Sequence, residues 1–156
     1  KVSRKGKRIN GLFRLLGNPE VLWKQAYINL YTNKGAVTKG TTSNTLDGFS
    51  MDRVNHLIRL LYAKEYHFKP VRRTYIPKKN GKWRPLGIPT GDDKLVQEVV
   101  RILLEQIYEP VFSRNSHEFR PQRSCHTALM QAKNQWNGVK WIIEFDIKGF
   151  FDNIDH

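Results

Sequence analysis

The chain has 156 residues, and its 27 Lys and Arg against 14 Asp and Glu give a formal net charge of +13. It contains no run of 18 apolar residues, which excludes a membrane-spanning helix, and its one cysteine, Cys125, excludes an internal disulfide and fits a reducing compartment. Residues 1–90 carry 19 of the basic and four of the acidic residues, so the front of the chain suits a polyanion such as a nucleic-acid backbone.

The first elements in chain order are a basic arm and a helix. Residues 1–8 carry five positive charges and too little apolar surface to order alone, so a flexible arm is expected, with the whole of residues 1–17 assigned to it. Asn18 is then a helix cap with Pro19 at the first helical position, and Gly35 is expected to end that helix.

A loop and a second helix follow. Residues 33–50 are rich in Gly, Thr, Ser and Asn, and Lys34 and Lys39 stand among these small residues, where they could contact a nucleic-acid backbone. A long polar loop is either functional or a plain connector, and the sequence leaves both interpretations open. Ser50 is predicted to cap a helix whose apolar residues recur every three or four positions.

A β-hairpin is predicted next, with strands over residues 71–77 and 83–88. Asn80 and Gly81 between them are the strongest short signal for a two-residue turn. Pro85 lies inside the return strand and cannot donate a ladder hydrogen bond, so it is expected at an edge or a bulge. The basic side chains of the hairpin, taken one at a time, are most often simply solvated.

Two more helices are predicted, from Asp92 to Tyr108 after a capping box at Thr90, and from Ser124 to Gly138. The sequence Gly91-Asp92-Asp93 is like a polymerase Gly-Asp-Asp motif, but a role at the start of the helix explains both carboxylates. His117, Cys125 and His126 match no paired-ligand spacing for zinc, so a zinc site is not favoured.

The last elements are a β-branched and aromatic strand over residues 140–147 and a helix that opens at Asp152. Asp146 comes at the end of that strand, where a carboxylate could hold a hard divalent cation such as Mg²⁺. The alternative is an ordinary strand-end Asp that caps the following turn, and spacing alone leaves the two open.

Four blocks of the sequence together resemble the group II intron-encoded reverse transcriptase/maturases. Residues 145–156 are similar to the first palm motif of that family, residues 72–90 to its fingers hairpin, and residues 93–97 and 116–124 to the two blocks between. The blocks occur in the right order and at the right spacing, which makes the match far more specific than any one of them.

The resemblance implies roles for individual residues. Asp146 would be the first catalytic aspartate and, with the Ile147 main-chain carbonyl, would hold Mg²⁺. Phe150 would collide with a ribose 2′-hydroxyl and so favour deoxynucleotides. The triphosphate of the incoming dNTP would be bound by the basic residues of the hairpin, Arg72, Lys78 and Arg84. Arg120 and Arg123, like Lys34 and Lys39, are assigned to RNA binding.

One block departs from the family pattern. Glu118 and Gln122 stand where the family usually has Gly, before Phe119 and before Arg123. A side chain at such a position is expected to avoid the positive φ angles that Gly allows.

The resemblance also implies an overall architecture and function. The fold should be α+β, the helix-rich fingers of a reverse transcriptase with a small antiparallel sheet and the first edge of the palm. Residues 1–17 would be the arm, 18–139 the fingers with an N-terminal extension, and 140–156 the start of the palm. With no initiator Met and no Tyr-x-Asp-Asp box after Asp146, we expect a piece of a longer polymerase that is inactive alone.

The expected partners of the parent polymerase are the intron RNA, an RNA template, a DNA primer and dNTP, with no membrane. The expected location is a ribonucleoprotein in the bacterial cytoplasm, or alternatively in an organelle. The rival interpretation is a non-catalytic RNA-binding module of a ribonucleoprotein.

Overall fold

The computed structural model describes residues 9–147, 149, 150, 153 and 155. The chain divides into two compact units, Lys1–Val111 and Phe112–His156. The basic residues 1–8 and the predicted helix start at Asp152 lie outside the described residues.

The first unit begins with two short helical elements that meet at a tryptophan. Helix α1 spans Leu12–Leu15, and a π-helical turn, Pro19–Trp23, leads into α2, Lys24–Tyr31. Asn18 caps the turn as predicted, because its side chain accepts a hydrogen bond from the Val21 amide at 3.2 Å. The Trp23 indole donates to the Leu16 carbonyl at 2.7 Å, and both residues are buried. The prediction of a flexible arm is therefore wrong for residues 12–16, whose apolar side chains give them a packing partner.

Helix α3, Met51–Ala63, carries the most regular apolar stripe of the chain. Ser50 caps it by accepting from the Arg53 amide at 3.2 Å, as predicted. Its other end closes at Lys64, which takes a left-handed φ of 60° while the Glu65 amide donates to the Leu60 carbonyl at 2.9 Å. That is the geometry of a C-terminal cap that glycine usually occupies.

The hydrophobic core lies in the first unit. It is formed where the π-turn and α2 pack against α3 and α4, with the 33–50 loop contributing two residues. Its buried members are Leu16, Trp23, Ala26, Ala36, Leu46, Val54, Leu57, Leu95, Val96 and Val99. Because residues from the loop are buried there, the loop is part of the packed structure. Helix α2 ends at Tyr31, four residues before the Gly35 that was expected to end it.

The predicted hairpin is present as β1, Arg72–Pro77, paired antiparallel with β2, Trp83–Ile88. Its turn is one residue longer than predicted. The Lys78 amide donates to the Lys82 carbonyl at 2.7 Å and the Gly81 amide to the Lys78 carbonyl at 3.1 Å, with Gly81 at a φ of 75°. This is a three-residue turn with a glycine bulge. Pro85 lies opposite Tyr75 in a two-stranded sheet, so the predicted edge position is confirmed.

Helix α4, Gly91–Tyr108, follows the hairpin directly and continues into a 3₁₀ turn, Glu109–Val111. Thr90 caps it by accepting from the Asp93 amide at 3.3 Å, which confirms the predicted start. The helix supplies Leu95, Val96 and Val99 to the core. It therefore connects the hairpin rigidly to the packed part of the first unit.

The second unit contains helix α5, Cys125–Gln135. The helix starts after Ser124 as predicted, where Ser124 and Thr127 form a capping box, but it ends three residues before the predicted Gly138. Residues 140–147 form no strand, which corrects that prediction. A β-strand is stabilised by hydrogen bonds to a neighbouring strand, and none of the described residues pairs with this segment.

The described part of the chain thus contains five α-helices and one small antiparallel sheet. This confirms the predicted α+β class. Within the residues described, no helix is long and apolar enough to cross a membrane.

Candidate nucleotide and nucleic-acid interface

The hairpin presents its basic side chains on one face. Residues directly opposite each other in an antiparallel pair lie on the same side of the sheet, and side chains alternate along each strand. Ile76 pairs with Arg84 and Arg72 with Ile88, while Lys78 hydrogen-bonds across the turn to Lys82. We call the side that carries Arg72, Lys78, Lys82 and Arg84 the basic face. The three residues predicted to bind a triphosphate therefore share one surface.

The length of the turn decides this grouping. A two-residue turn at Asn80 and Gly81 would shift the pairing by one residue, and such a shift turns every side chain of one strand to the other side. Arg84 would then lie on the other side of the sheet from Lys78. The observed turn therefore groups the cations, and it adds Lys82, which the sequence reasoning did not single out.

Three of the four basic side chains on this face are available for a ligand. Lys78, Lys82 and Arg84 are exposed, and none of them forms an ion pair or hydrogen bond through its side chain with another described residue. Phosphate oxygens are suitable partners for ammonium point charges and forked guanidinium donors. The chemistry of this face thus fits a polyphosphate.

The base of the hairpin is fixed by the 33–50 loop. The Arg72 guanidinium donates to the Lys39 carbonyl at 3.0 Å, and the Thr41 hydroxyl donates to the Pro70 carbonyl at 2.9 Å. At the other end of the hairpin, just after β2, Pro89 lies very close to the backbone of Gly40. A methyl group on Gly40 would lie 2.8 Å from the Pro89 carbonyl carbon. The loop therefore holds both ends of the hairpin and is more than a connector.

Lys94 on α4 holds the same loop from the core side. Its ammonium donates to the Gly35 carbonyl at 2.9 Å and to the Thr38 carbonyl at 2.7 Å. Burial lowers the pKa of Lys94, and the nearby positive charge of Arg72 lowers it further. The hydrogen bonds to these two main-chain carbonyls partly offset the free-energy cost of burying the Lys94 ammonium. Lys34 and Lys39, the two predicted RNA contacts, are left exposed on the outside of the loop.

The two carboxylates that follow Gly91 are used in structural hydrogen bonds. Asp92 accepts from Arg53 at 2.6 Å and from the Asn44 amide group at 2.8 Å. Asp93 is almost fully buried and accepts from the Tyr66 hydroxyl at 2.7 Å. Burial is the main cause that raises the pKa of the Tyr66 hydroxyl, and its hydrogen bond to Asp93 raises that pKa further. The interpretation of these residues as helix-start groups is confirmed.

In the second unit, Arg120 and Arg123 support the loop that precedes α5. Arg120 donates to the carbonyls of Ser113 at 2.7 Å and Ser116 at 2.9 Å, and its guanidinium lies 5.2 Å from the centre of the Phe112 ring. Arg123 donates to the Arg114 carbonyl at 3.2 Å. Both arginines are half-buried. The structure gives them a bracing role, and their assignment to RNA binding stays a prediction.

The backbone of the same loop contradicts the expectation that side chains at the usual glycine positions avoid positive φ angles. Gln122 takes a φ of 58° and Phe119 a φ of 54°, both in the left-handed region, whereas Glu118 does not. Gln122 therefore adopts a backbone conformation that glycine favours, contrary to the expectation. Such a position costs a residue with a β-carbon roughly 1–2 kcal/mol.

His117 in this unit is held by two side chains of α5. Its ring nitrogens lie 2.8 Å from the Thr127 hydroxyl and 2.9 Å from the Gln131 side-chain oxygen. Both ring nitrogens therefore have hydrogen-bond partners within the loop and helix. In the part of the chain that the structure describes, no three His, Cys, Asp or Glu side chains cluster as a metal site would require.

Asp146 and its neighbours lie in the segment without regular secondary structure that follows α5 in the second unit. Asp146 and Ile147 are exposed, and Phe150 is about half exposed in a turn where Gly149 has a φ of 63°. The Asp146 carboxylate and the Ile147 carbonyl are oxygen donors of the kind that Mg²⁺ prefers, but they are too few to surround the ion. Among the residues described, the donor set has the right chemistry and is incomplete.

The comparisons with known proteins agree with this chemistry. A family model described as reverse transcriptase (RNA-dependent DNA polymerase) matches residues 76–156. The chain is 58% identical over 146 residues to "Group II intron-encoded protein LtrA" of Lactococcus lactis subsp. cremoris, a match that covers 93% of this chain and 24% of that protein.

Two further relatives come from eukaryotes. The "Uncharacterized 91 kDa protein in cob intron" of Schizosaccharomyces pombe is 49% identical over 84% of this chain and 16% of its own length. "Nuclear intron maturase 1, mitochondrial" of Arabidopsis thaliana is 34% identical over 43% of this chain and 9% of its own length. The chain spans about a quarter or less of the length of these relatives. Its similarity to these intron-encoded proteins confirms the resemblance stated from its motifs, and the chain belongs to the reverse transcriptase (RNA-dependent DNA polymerase) family.

Proposed function

We propose that the chain is the fingers and the start of the palm of an RNA-directed DNA polymerase that is encoded by a group II intron and assists its splicing. The observation that carries the proposal is the basic face, where Arg72, Lys78 and Arg84 lie together on a hairpin fixed to the core. Its substrates would be an RNA template, a DNA primer and dNTP, and its RNA partner the intron.

The basic face would bind the triphosphate of the incoming nucleotide. Three negatively charged phosphates require several cations held in a fixed arrangement, because each exposed charge pair is weak by itself. The hairpin meets this need through its attachment at both ends to the 33–50 loop. Lys82 would join the three residues named from the sequence.

Asp146 and the Ile147 carbonyl would hold Mg²⁺ in the complete polymerase together with a second carboxylate source. The ion, when bound, would stabilise charge on the phosphates during nucleotidyl transfer. Phe150 would lie under the sugar and exclude a 2′-hydroxyl. Because these 156 residues contain no Tyr-x-Asp-Asp box after Asp146, they would not extend a primer by themselves. The complete protein would work in a ribonucleoprotein, in a bacterial cytoplasm or an organelle.

The test is primer extension by the complete polymerase with Arg84→Ala and the matched control Arg59→Ala. Both remove an exposed arginine, but Arg59 lies on α3, outside the hairpin. Arg84→Ala should raise the KM for dNTP roughly tenfold or more, as expected for one lost charge-assisted hydrogen bond. Arg59→Ala should leave that KM nearly unchanged. Equal effects of the two variants would show that the basic face does not bind the nucleotide.

The palm residues give a second arm of the same assay. Asp146→Ala should abolish extension with both ribo- and deoxynucleotides, because it removes a metal ligand. Phe150→Ala should raise ribonucleotide use relative to deoxynucleotide use by roughly fivefold to 150-fold, if the buried 2′-hydroxyl costs about 1–3 kcal/mol. A parallel fall in both activities would show that Phe150 acts in packing.

A further inference from the structure

The second face of the hairpin is aromatic. Tyr75 pairs with Pro85 and Pro77 with Trp83, so these four side chains lie on the side opposite the basic face. We call this side the aromatic face. Tyr75 is 58% and Trp83 64% exposed, and together they line an open depression of about 520 Å³. Two large rings, diagonal neighbours on adjacent strands, therefore face solvent side by side.

Positively charged side chains flank these rings. Arg73 lies on the aromatic face itself, and Lys79 stands in the turn beyond it. From residue 66 to residue 91 the chain carries seven Lys and Arg and no Asp or Glu. A second copy of the same face would meet strong repulsion, whereas a polyanion would be attracted. An aromatic surface bordered by positive charge fits a ligand that combines flat rings with negative charge.

We propose that the aromatic face binds single-stranded RNA by stacking unpaired bases on Tyr75 and Trp83, with Arg73 and Lys79 at the adjoining phosphates. Exposed rings stack on any base, and cations beside them follow the backbone. A duplex fits less well, because its bases are already stacked on each other. The inference rests on the proposed function for the identity of the polyanion as RNA, and it adds a binding surface separate from the nucleotide face.

The experiment measures binding of the 156-residue chain to two strands of equal length and charge. One is a 12-nucleotide oligouridylate, and the other is the same ribose-phosphate chain without bases. Tyr75→Ala with Trp83→Ala should weaken binding of the oligouridylate by roughly fivefold to 150-fold for each lost stack, and leave the abasic strand nearly unaffected. Ile76→Ala with Leu86→Ala, a matched pair of exposed apolar residues on the basic face, should change neither affinity much.

A conservative pair keeps the test informative if the alanine variant fails to fold. Tyr75→Phe with Trp83→Phe preserves two rings and should retain most of the affinity for the oligouridylate. Trp83→Phe alone should also remove most of the quenching of tryptophan fluorescence that the oligouridylate causes in the wild-type chain.

Several outcomes would overturn the stacking site. One is an equal loss of affinity for the base-bearing and abasic strands, and another is no loss at all in the alanine pair. Self-association of the chain that disappears with Trp83→Ala would assign the aromatic face to a second copy instead. These results are independent of the dNTP assay, in which the aromatic face has no role, so either proposal can fail while the other stands.

Discussion

The two units of the chain differ in how they are stabilised. In the described part of the chain, the first unit, Lys1–Val111, buries ten apolar residues, while the second, Phe112–His156, contains no fully buried residue. The second unit is held by local hydrogen bonds, such as those of His117 and Arg120. Burial of apolar surface is the main stabilising contribution to folding, and hydrogen bonds add little net free energy. The first unit should therefore unfold cooperatively, and the second should open at lower cost.

This difference also separates the two groups of predicted site residues. Arg72, Lys78 and Arg84 stand on a hairpin attached to a packed core, so their arrangement is fixed by the structure of the first unit. Asp146 and Phe150 lie in an exposed apolar segment with which no strand pairs among the residues that the structure describes. The nucleotide-binding side can be organised by this chain, whereas the metal-binding side needs more residues than it offers here.

The largest effect is expected from the core of the first unit. Trp23→Ala removes a fully buried ring and its hydrogen bond to Leu16, and should lower the free energy of unfolding by about 3–5 kcal/mol. Trp141→Ala in the second unit removes a ring that is 87% exposed, and should change the free energy of unfolding by less than about 0.5 kcal/mol. Denaturant titration of both variants measures the contrast. Similar values for the two would mean that the units are not stabilised differently.

A smaller effect is expected where the 33–50 loop meets the hairpin. Gly40→Ala places a methyl group 2.8 Å from the backbone of Pro89 and Thr90, and such overpacking should cost about 1–3 kcal/mol. Gly35→Ala in the same loop meets nothing within 4 Å and should be nearly neutral. Thermal unfolding of the two variants provides the measurement. If both are neutral, the loop does not fix the hairpin and the arrangement of the basic face must have another cause.

The smallest effects are expected from relieving the same backbone strain in each of the two units. Lys64 and Gln122 both take a left-handed φ, near 60°, and glycine should relieve about 1 kcal/mol at either position after its own entropic cost. Lys64→Gly should raise the midpoint of cooperative unfolding. Gln122→Gly should leave that midpoint unchanged and instead slow proteolytic cleavage of residues 112–124, because the relief is local.

Alanine at each of the two positions is the control, since it keeps the strain and removes only the side chain. A rise in the cooperative midpoint with Gln122→Gly would show that the second unit unfolds together with the first, and the contrast between them would be lost.

Local signals in the sequence identified most of the elements. Asn18, Ser50, Thr90 and Ser124 each cap the helix that was predicted to start there, because capping depends on one side chain and the next three amides. Helix ends were less predictable, since α2 and α5 stop before the glycines expected to end them. The prediction of a strand over residues 140–147 was wrong, because a segment with high β-propensity forms a strand only when it pairs with another strand.

By itself, the sequence determined the family, the basic character of the front half, the starts of the helices and the identity of the hairpin cations. Tertiary structure alone decided which of these residues share a surface. One extra residue in the turn before Lys82 places Arg84 beside Lys78 and, on the other face, Trp83 beside Tyr75. The same structure buried Leu46 and fixed the 33–50 loop beneath the hairpin. A shift of one residue in register exchanges the two faces of a strand, and only the complete set of hydrogen bonds and core contacts selects one register over the other.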